Sequence, residues 1–108
     1  FIANGYFEWL QEEKAKIPYY HTFKDCMMYF GGIFNDQGAC IVTRQSYPMK
    51  INVHYRQPVI LKYHDFDSWF DRRHDFTCKY SCDMDVYQVS DRVNSPNNNS
   101  PENIKRIC

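Results

Sequence analysis

Apolar and aromatic residues of this chain fall in short runs, and turn-forming residues separate the runs. The first run, Phe1–Leu10, has the composition of a β-strand, and the charged patch Gln11–Lys16 after it predicts a hairpin or loop tip. The polar segment Asn35–Gly38 predicts a turn. Three further strands are predicted around it, at Pro18–Phe23, Cys26–Phe34 and Ala39–Thr43. The first half of the chain is therefore expected to be mostly β-sheet.

The second half mixes short strands with one helix. Phe66, Trp69 and Phe70 recur at i, i+3 and i+4, which predicts an amphipathic helix over His64–Arg73. The polar stretch Asn94–Pro101 predicts an irregular loop. The remaining predicted elements are a turn of helix at Pro48–Asn52, a loop at His54–Pro58, and strands at Val59–Leu61 and Tyr87–Ser90. The pattern as a whole predicts an α+β domain dominated by short strands.

Length and charge limit the classes of protein to which the chain can belong. Its 108 residues correspond to one domain, and an apolar share of 44% with 18% aromatic residues argues against disorder. The 13 basic residues balance the 13 acidic ones, which excludes a broad basic surface for duplex DNA or anionic membrane. Any nucleic-acid site must then be a local groove.

The chain shows no membrane-spanning or secretory pattern. Its longest apolar stretch, Cys26–Phe34, has nine residues, whereas a membrane span needs about 20. The first residues have neither a basic segment nor an apolar core of a signal peptide, and the chain starts at Phe1 rather than Met. We therefore expect a piece of a longer chain, or a chain whose beginning is absent.

The cysteines predict free thiols rather than disulfides or a metal site. Their number is five, which is odd, and they form no compact framework, as expected in a reducing, intracellular compartment. His74, Cys78 and Cys82 would share one helical face, but a second cysteine pair for zinc is missing. We predict no metal and no cofactor, with Cys78 and Cys82 as unmodified thiols.

Two segments carry candidate chemistry. Glu8 lies inside an aromatic strand, where it either faces solvent or lines a pocket and works as an acid–base group. His54 and Arg56 stand two apart on an extended segment and share a face that suits a phosphate, although a surface pair without a role is the alternative.

Seven short motifs occur in the same order along the chain and together cover nearly all of it. They are Ala3–Trp9, Pro18–Tyr20, Gly31–Asn35, Cys40–Thr43, Val53–Leu61, Trp69–Asp71 and Val89–Glu102. Together they resemble the SRAP family, the bacterial SOS-response-associated peptidases and their eukaryotic relative that senses abasic sites in single-stranded DNA. Gln57 and Asn4 stand where the family pattern has Met and Asp. These two changes suggest a divergent member.

The resemblance implies a compact domain with a central, barrel-like mixed β-sheet, few short helices and a positively charged cleft for single-stranded DNA. Residues 1–108 would be the C-terminal portion of one such domain, with its N-terminal part absent from this chain. The family forms a covalent DNA–protein crosslink: an N-terminal cysteine, exposed by self-processing of the initiator Met, closes a thiazolidine ring on the abasic aldehyde. None of the five cysteines here is N-terminal.

The resemblance also assigns roles to individual residues. Glu8 would shuttle protons, and His54 would orient that chemistry and take part in reversal or strand-cleaving β-elimination. Arg56 would hold a phosphate, and Trp9 would stack a base. Asn94 would contact DNA, although Asn94, Asn98 and Asn99 as loop-forming residues are the alternative. Glu8 and His54 should face one cleft, with Trp9 and Arg56 at its rim.

Three hypotheses remain open from the sequence. The chain is part of an abasic-site crosslinker acting at DNA inside the cell, a divergent non-covalent single-stranded DNA binder, or a structural part of an assembly. Its expected partners are single-stranded DNA with abasic sites and either the missing N-terminal part or a docked protein. A membrane is not among them. Retention of Glu8, His54 and Arg56 favours the first two, whereas the missing cysteine and neutral charge favour the last two.

Overall fold

The computed structural model describes residues 1–49, 51–71 and 84–107. Short strands dominate these residues, with one α-helix, α1 (Phe66–Phe70), and three 3₁₀ turns at Tyr63–Asp65, Asp91–Asn94 and Pro101–Ile104. The strands are β1 (Ile2–Ala3), β2 (Gly5–Glu12), β3 (Ala15–Thr22), β4 (Met28–Phe30), β5 (Gly32–Asn35), β6 (Gly38–Ile41), β7 (Thr43–Gln45), β8 (Arg56–Pro58), β9 (Ile60–Leu61) and β10 (Asp85–Gln88). The predicted α+β class with few short helices is confirmed.

The strands form four small sheets, and every strand pair in the described residues is antiparallel. One sheet has the order β10-β3-β2, and a second has the order β1-β4-β9. The other two are the pairs β5-β6 and β7-β8. The described part of the chain thus contains neither a parallel pair nor a closed barrel, although the implied family fold is barrel-like and mixed.

Three of these sheets meet at a junction of backbone hydrogen bonds. Gly31 N–H donates to Val59 C=O at 2.8 Å, Val59 N–H to Val42 C=O at 2.9 Å, and Val42 N–H to Gly31 C=O at 2.9 Å. At each of these residues the chain leaves one strand partner and takes another. Gly31 has to be a glycine here, because a Cβ atom would lie 2.8 Å from the ring of Trp69. The junction connects the β1-β4-β9, β5-β6 and β7-β8 sheets through backbone hydrogen bonds.

The hydrophobic core lies between the first two sheets. One face of the β10-β3-β2 sheet carries Tyr6 and His21, whose rings stack with centroids 4.4 Å apart. Tyr6 also packs edge-on against Phe30, at 5.8 Å between centroids. Burying apolar side chains of this size stabilises the fold by about 1.5–3 kcal/mol each. The core cluster consists of Phe23, Met28, Phe30 and Ile60.

The other face of the β10-β3-β2 sheet carries a row of three aromatic rings. The C-terminal segment of the chain lies beside this row. Tyr20 lies between Phe7 and Tyr87, with ring centroids 5.1 Å and 5.8 Å away. Val89 N–H donates to Pro18 C=O at 3.1 Å, but proline has no N–H to return the bond. The ladder therefore ends at Gln88, and the chain turns into the 3₁₀ segment that brings Asn94 towards β2.

The hairpin and the segment around residue 56 differ from the prediction. Strand pairing continues to Glu12 and Ala15, so that only Glu13 and Lys14 form the turn instead of the whole patch Gln11–Lys16. The expected loop at His54–Pro58 contains strand β8, because residues 56–58 pair with β7. In both places strand pairing outweighs the polar composition on which the prediction rested.

Other predicted elements are shorter or shifted. The strand Cys26–Phe34 divides into β4 and β5 at the junction. Residues 48, 49, 51 and 52 contain no helix. The last strand is Asp85–Gln88 rather than Tyr87–Ser90, since Pro18 ends the ladder. The predicted helix begins at Phe66, and its last residues, 72 and 73, lie outside the described part of the chain.

Candidate functional site

A surface depression of about 590 Å³ lies across the edge of β2. Strand β2 is the last strand of its sheet, and no described strand pairs with its outer edge. Side chains on a strand alternate between faces, so Glu8 approaches this edge from one face, and Trp9 and Gln11 approach it from the other. The residues that line the depression are Glu8, Trp9, Gln11, Lys16, His54 and Asn94. They come from the β2–β3 hairpin, the segment before β8 and the C-terminal segment.

Glu8 is half-buried, and its carboxylate lies along the open strand edge. Its Oε1 atom accepts the backbone N–H of Trp9 at 3.1 Å. That N–H has no strand partner among the described residues, because it points away from β3. The contact restrains the carboxylate of a residue that lines the depression. A carboxylate held in this way can exchange a proton with a bound molecule.

The segment that presents His54 is tied to the chain on both sides. Ser46 N–H donates to Tyr55 C=O at 2.8 Å, and the Ser46 hydroxyl donates to His54 C=O at 2.7 Å. Tyr47 N–H donates to the side-chain oxygen of Gln57 at 3.1 Å. Gln57 is buried, which gives a structural use to the residue that departs from the family's methionine. These bonds fix the backbone from which the imidazole projects.

The imidazole of His54 is exposed, and its Nδ1 atom is already engaged. The backbone N–H of Arg56 donates to Nδ1 at 3.1 Å, and the ring stacks on Tyr55 with centroids 4.7 Å apart. Nδ1 also lies 3.3 Å from the Arg56 C=O, so whether Nδ1 accepts or donates depends on the tautomer of the ring. In either tautomer the His54 side chain lines the depression.

Asn94 holds Trp9 in place rather than standing alone in a loop. Its side-chain oxygen accepts the indole Nε1–H of Trp9 at 2.6 Å, across 85 positions of sequence. The neighbouring asparagines have structural contacts instead: Asn98 donates to Arg92 C=O at 2.8 Å, and Asn103 to Asn98 C=O at 2.7 Å. The predicted DNA-binding residue Asn94 therefore reaches the depression through its bond to Trp9.

Arg56 does not line the depression. Its Nη2 atom donates to the Thr43 carbonyl at 2.7 Å and to the Thr43 hydroxyl at 3.0 Å, so the guanidinium braces β7 against β8. The structure thus gathers Glu8, Trp9, His54 and Asn94 but leaves Arg56 on the neighbouring strand pair. The other guanidinium nitrogens have no partner among the described residues and remain available for a phosphate.

Sequence analysis did not identify two residues that line the depression, Gln11 and Lys16, or the buried histidine His21. Gln11 and Lys16 line the depression because they form a cross-strand pair, whereas the charged patch around them was interpreted as a turn. His21 is 2% exposed in the core, and burial lowers its pKa from 6.5 to about 4, with hydrogen bonds that the ring donates to the backbone of Tyr6 and Tyr19 opposing the shift. Alternation along a hairpin with a two-residue turn could have revealed the Gln11–Lys16 pair.

Elsewhere on the described surface, another depression of about 600 Å³ has Lys24, Asp25, Asp85 and Arg106 among its lining residues but no histidine. An apolar groove of about 530 Å³ lies near Phe1, Phe34 and Phe70, and no carboxylate, histidine, lysine or arginine lines it. Cys26 and Cys40 are exposed free cysteines that lie outside the depression. The described ranges hold no group of three residues able to ligate a metal, and no helix in them is long and apolar enough to cross a membrane. His74, Cys78 and Cys82 lie outside the described residues.

Comparison with known proteins decides the family. The family model described as SOS response associated peptidase (SRAP) matches residues 1–96. The chain belongs to the SRAP family. This SRAP chain is 31% identical over 122 residues to the abasic site processing protein YoqW of Bacillus subtilis strain 168, covering 95% of the chain and 54% of the relative. It is 30% identical to the abasic site processing protein YoaM of the same organism, covering 93% and 52%.

A solved structure is similar as well. The X-ray structure of a protein from Bacteroides thetaiotaomicron superimposes with a TM-score of 0.73 at 25% identity, covering 99% of this SRAP chain and 55% of that protein. The chain therefore spans about half the length of the relatives it matches.

Proposed function

We propose that this chain supplies the acid–base side of a site that recognises and crosslinks abasic sites in single-stranded DNA. The observation that carries the proposal is the meeting of Glu8, Trp9, His54 and Asn94, from distant parts of the sequence, around one depression. The names of the relatives YoqW and YoaM, abasic site processing proteins, support the same substrate.

The proposed covalent step joins an N-terminal cysteine to the ring-opened sugar. Its α-amine attacks the aldehyde carbon, water leaves to form an imine, and the thiol sulfur then adds to the imine carbon to close a thiazolidine. No electrons are gained or lost overall. The α-amine and the thiol must belong to one residue, because the five-membered ring closes through both. An internal cysteine supplies only the thiol, so the reacting cysteine would lie outside the residues of this chain.

Glu8 and His54 would divide the proton transfers of this reaction. Glu8 would deliver a proton to the departing oxygen as water leaves, and would take one during opening of the sugar ring. His54, which lines the same depression, would hydrogen-bond the same oxygen and assist reversal or β-elimination. Trp9 would stack a neighbouring base, and Arg56 would bind a phosphate at the adjoining strand pair.

A further part of the same domain, or a docked protein, would complete this site. The chain spans about half the length of its relatives, and its apolar groove exposes Ile2, Ile33, Phe34 and Phe70 by 59–83%. Apolar patches of this kind mark surfaces that contact other protein. We place the remaining half of the domain, with the reacting cysteine, among the partners of this chain.

A non-covalent single-stranded DNA-binding role is the second candidate. One observation favours it: neither described cysteine lines the depression beside Glu8 and His54. In that case Trp9 and the polar residues of the depression would bind the strand, and no adduct would form in any setting.

The two candidates are separated by crosslinking on a denaturing gel. Residues 1–108 with a labelled abasic oligonucleotide should give no heat-stable adduct, because Phe1 offers only an amine and a reversible imine. A longer version that starts with cysteine and carries the remaining half of the domain should form one. In that version Glu8→Gln and His54→Ala should slow formation or reversal about 100-fold, within the usual range for a lost acid–base group.

Matched controls keep the result interpretable. Glu12→Gln lies on the same strand but outside the depression, and His64→Ala is an exposed histidine elsewhere, so both should react at the rate of the unchanged protein. Borohydride trapping, run separately, reports the imine. A stable adduct with residues 1–108 alone would contradict the covalent mechanism. A longer protein with N-terminal cysteine that never crosslinks would leave the non-covalent role.

A further inference from the structure

An asparagine followed by a glycine stands at the start of β2. Asn4 is the one asparagine of the sequence that a glycine follows, and it is exposed at the bend between β1 and β2. In such a pair the backbone nitrogen of the glycine can attack the side-chain carbonyl carbon of the asparagine, because glycine has no Cβ atom to hinder the approach. The side-chain amide of Asn4 is therefore open to reaction with its own backbone.

Packing requires glycine at position 5. A Cβ atom there would collide with the backbone C=O of His21 and would lie 2.7 Å from the ring of Tyr20. Both obstacles belong to β3, the neighbouring strand, so a larger residue at position 5 would need a shift of that strand. The fold thus keeps glycine after Asn4, and with it the unhindered approach to the asparagine side chain.

The nitrogen of Gly5 is not used by the β2–β3 ladder. Backbone N–H groups along a strand alternate in direction, and the N–H of Trp9 points away from β3 to the Glu8 carboxylate. Gly5 lies four residues before Trp9, so its N–H points to the same edge of β2, which no described strand pairs. Attack by this nitrogen therefore breaks no hydrogen bond of the ladder.

Thr22 contacts the peptide group that contains this nitrogen. Its hydroxyl donates to the Asn4 C=O at 2.7 Å, the shorter of two contacts, and the other is to the Phe23 C=O at 3.1 Å. A hydrogen bond to the oxygen of a peptide group favours the form that has lost its proton, because oxygen and nitrogen share the negative charge. The Thr22 hydroxyl therefore makes the Gly5 nitrogen a better nucleophile.

The leaving group is held weakly, and water can reach the pair. The Asn4 side-chain nitrogen donates to the sulfur of Met27 at 3.6 Å, and a thioether is a weak acceptor. Asn4 and Thr22 both line the surface depression of about 600 Å³ that also contains Asp85 and Arg106. Ammonia can therefore leave, and water can enter, without opening the core.

We propose that Asn4 and Gly5 are a self-modification site, at which the chain converts Asn4 into aspartyl and isoaspartyl residues with water as the co-reactant. The Gly5 nitrogen gives its proton to solvent and bonds to the Asn4 Cγ atom, and the side-chain nitrogen leaves as ammonia. Water then opens the five-membered succinimide ring at either of its two carbonyl carbons, and no electrons are gained or lost. The site is independent of the proposed function, since it uses neither Glu8 nor His54.

The two products differ in their effect on β2. The aspartyl product keeps the main chain and adds one negative charge. In the isoaspartyl product the main chain runs through the side-chain carbons, which inserts one extra backbone atom before Gly5. The former Asn4 C=O becomes a free carboxylate, so the Thr22 hydroxyl would no longer contact the peptide group that begins the strand. The isoaspartyl product should therefore loosen the start of β2.

Mass spectrometry of peptides measures the reaction at each asparagine after incubation at mildly alkaline pH in water enriched in heavy oxygen. Asn4 should incorporate the label before Asn97 and Asn99, which are exposed but are followed by larger residues. The rate should rise with pH because the nucleophile must lose a proton, and an isoaspartyl methyltransferase should methylate the same peptide. Labelling of Asn4 no faster than that of Asn97 and Asn99 would overturn the site.

Variants of Asn4 test the ring closure. Asn4→Gln keeps an amide, but attack would have to close a six-membered ring, so position 4 should stay unlabelled. Asn99→Gln is the matched control and should leave the rate at Asn4 unchanged. Equal labelling of position 4 in Asn4→Gln and in the unchanged protein would contradict attack by the Gly5 nitrogen.

Thr22→Val tests the activation. It removes the hydroxyl with little change of shape and should slow the reaction at Asn4 about 5-fold, the equivalent of one hydrogen bond. A variant that only loosens the fold would instead react faster, because the pair would gain mobility. Thr43→Val, whose hydroxyl contacts Arg56, should keep the rate. An unchanged or faster reaction of Thr22→Val would overturn the role given to its hydroxyl.

Urea denaturation tests the effect on β2. The isoaspartyl form, separated by ion exchange and identified by methylation, should unfold at a lower urea concentration than Asn4→Asp, which carries the same charge. Equal midpoints would show that the start of β2 tolerates the extra backbone atom and would overturn this consequence of the modification.

Discussion

At the scale of single residues, the orientation of the Trp9 ring is fixed by Asn94, a polar residue far along the chain. The indole edge is bound by Asn94, while Trp9 lies on the face that also carries Phe7 and Gln11. A ring held at its edge keeps one orientation, which lowers the entropy lost when a base stacks on it. Asn94 is therefore a positioning residue for Trp9.

This role predicts different effects for two substitutions. Trp9→Ala removes the stacking surface and should weaken binding of single-stranded DNA about 10-fold. Asn94→Leu leaves the ring but frees it, and should weaken binding by only about 3-fold. Asn97→Ala, an exposed residue of the same segment, should bind like the unchanged protein. Fluorescence anisotropy measures all three, and an Asn94→Leu effect as large as that of Trp9→Ala would point to direct contact with DNA.

His21 predicts a loss of stability in acid. Burial lowers its pKa to about 4, whereas in the unfolded chain the imidazole takes up a proton near its ordinary 6.5. The unfolded state then binds more protons between these values, so stability is fully present above 6.5 and falls as the pH drops towards 4. Between about pH 7.5 and pH 5 the free energy of unfolding should fall by about 2 kcal/mol.

Urea denaturation at both pH values measures this effect. The exposed histidine variant His64→Ala should show the same decrease as the unchanged protein, whereas His21→Phe should show little of it. If His21→Phe does not fold, the pH dependence of the unchanged protein still tests the prediction. Equal stability at the two pH values would show that the imidazole is not kept neutral by burial.

At the scale of elements, the β2–β3 hairpin has a two-residue turn that contains no glycine. Glu13 has a φ angle of 45°, in the left-handed region where a Cβ atom costs energy. Glu13→Gly should therefore raise the free energy of unfolding by about 0.5–1 kcal/mol. Lys14→Gly, which relieves no positive φ, should lower it. Urea denaturation of both variants measures the difference, and a Glu13→Gly variant less stable than the Lys14→Gly variant would contradict the turn geometry.

The hairpin also shows where element prediction succeeds and fails. The aromatic composition of Phe1–Leu10 and Pro18–Phe23 was enough to predict two strands, because β-branched and aromatic side chains fit a pleated surface. The extent of the pairing was not predictable from charge, since the register of the two strands places the polar residues Gln11 and Lys16 opposite each other. The end of β10 depends on Pro18, which is distant in the sequence and has no N–H to donate a hydrogen bond.

At the scale of the whole molecule, the apolar groove is the feature that most affects behaviour in solution. Phe34 is 83% exposed and Phe70 76% exposed, so the isolated chain should bind a hydrophobic dye such as anilinonaphthalene sulfonate and self-associate. Phe34→Ser should reduce both with little effect on stability, because the side chain contributes little to the core. Phe30→Ser, at a buried position of the same groove, should unfold the chain.

Dye fluorescence and analytical ultracentrifugation measure these two properties. A monomeric chain that binds no dye would mean that the groove is closed in solution. Equal destabilisation by Phe34→Ser and Phe30→Ser would mean that Phe34 is buried there. Either result would remove the support that the groove lends to a completing partner.

The sequence by itself determined the α+β class, the main strands and, through colinear motifs, the SRAP family. These features depend on local composition and on the order of motifs, which can be identified without knowing which residues are in contact. It also singled out Glu8, Trp9, His54 and Asn94 as candidates. Only the tertiary structure decided that these four share one depression, that Asn94 binds Trp9, that Arg56 turns to Thr43, and that Lys16 joins the site. Glu8 and His54 lie 46 positions apart, and a chain's local pattern does not specify which distant segments meet. That meeting depends on strand register, on the Gly31–Val42–Val59 junction and on a proline that ends a ladder, all of which arise from pairing between distant backbone groups.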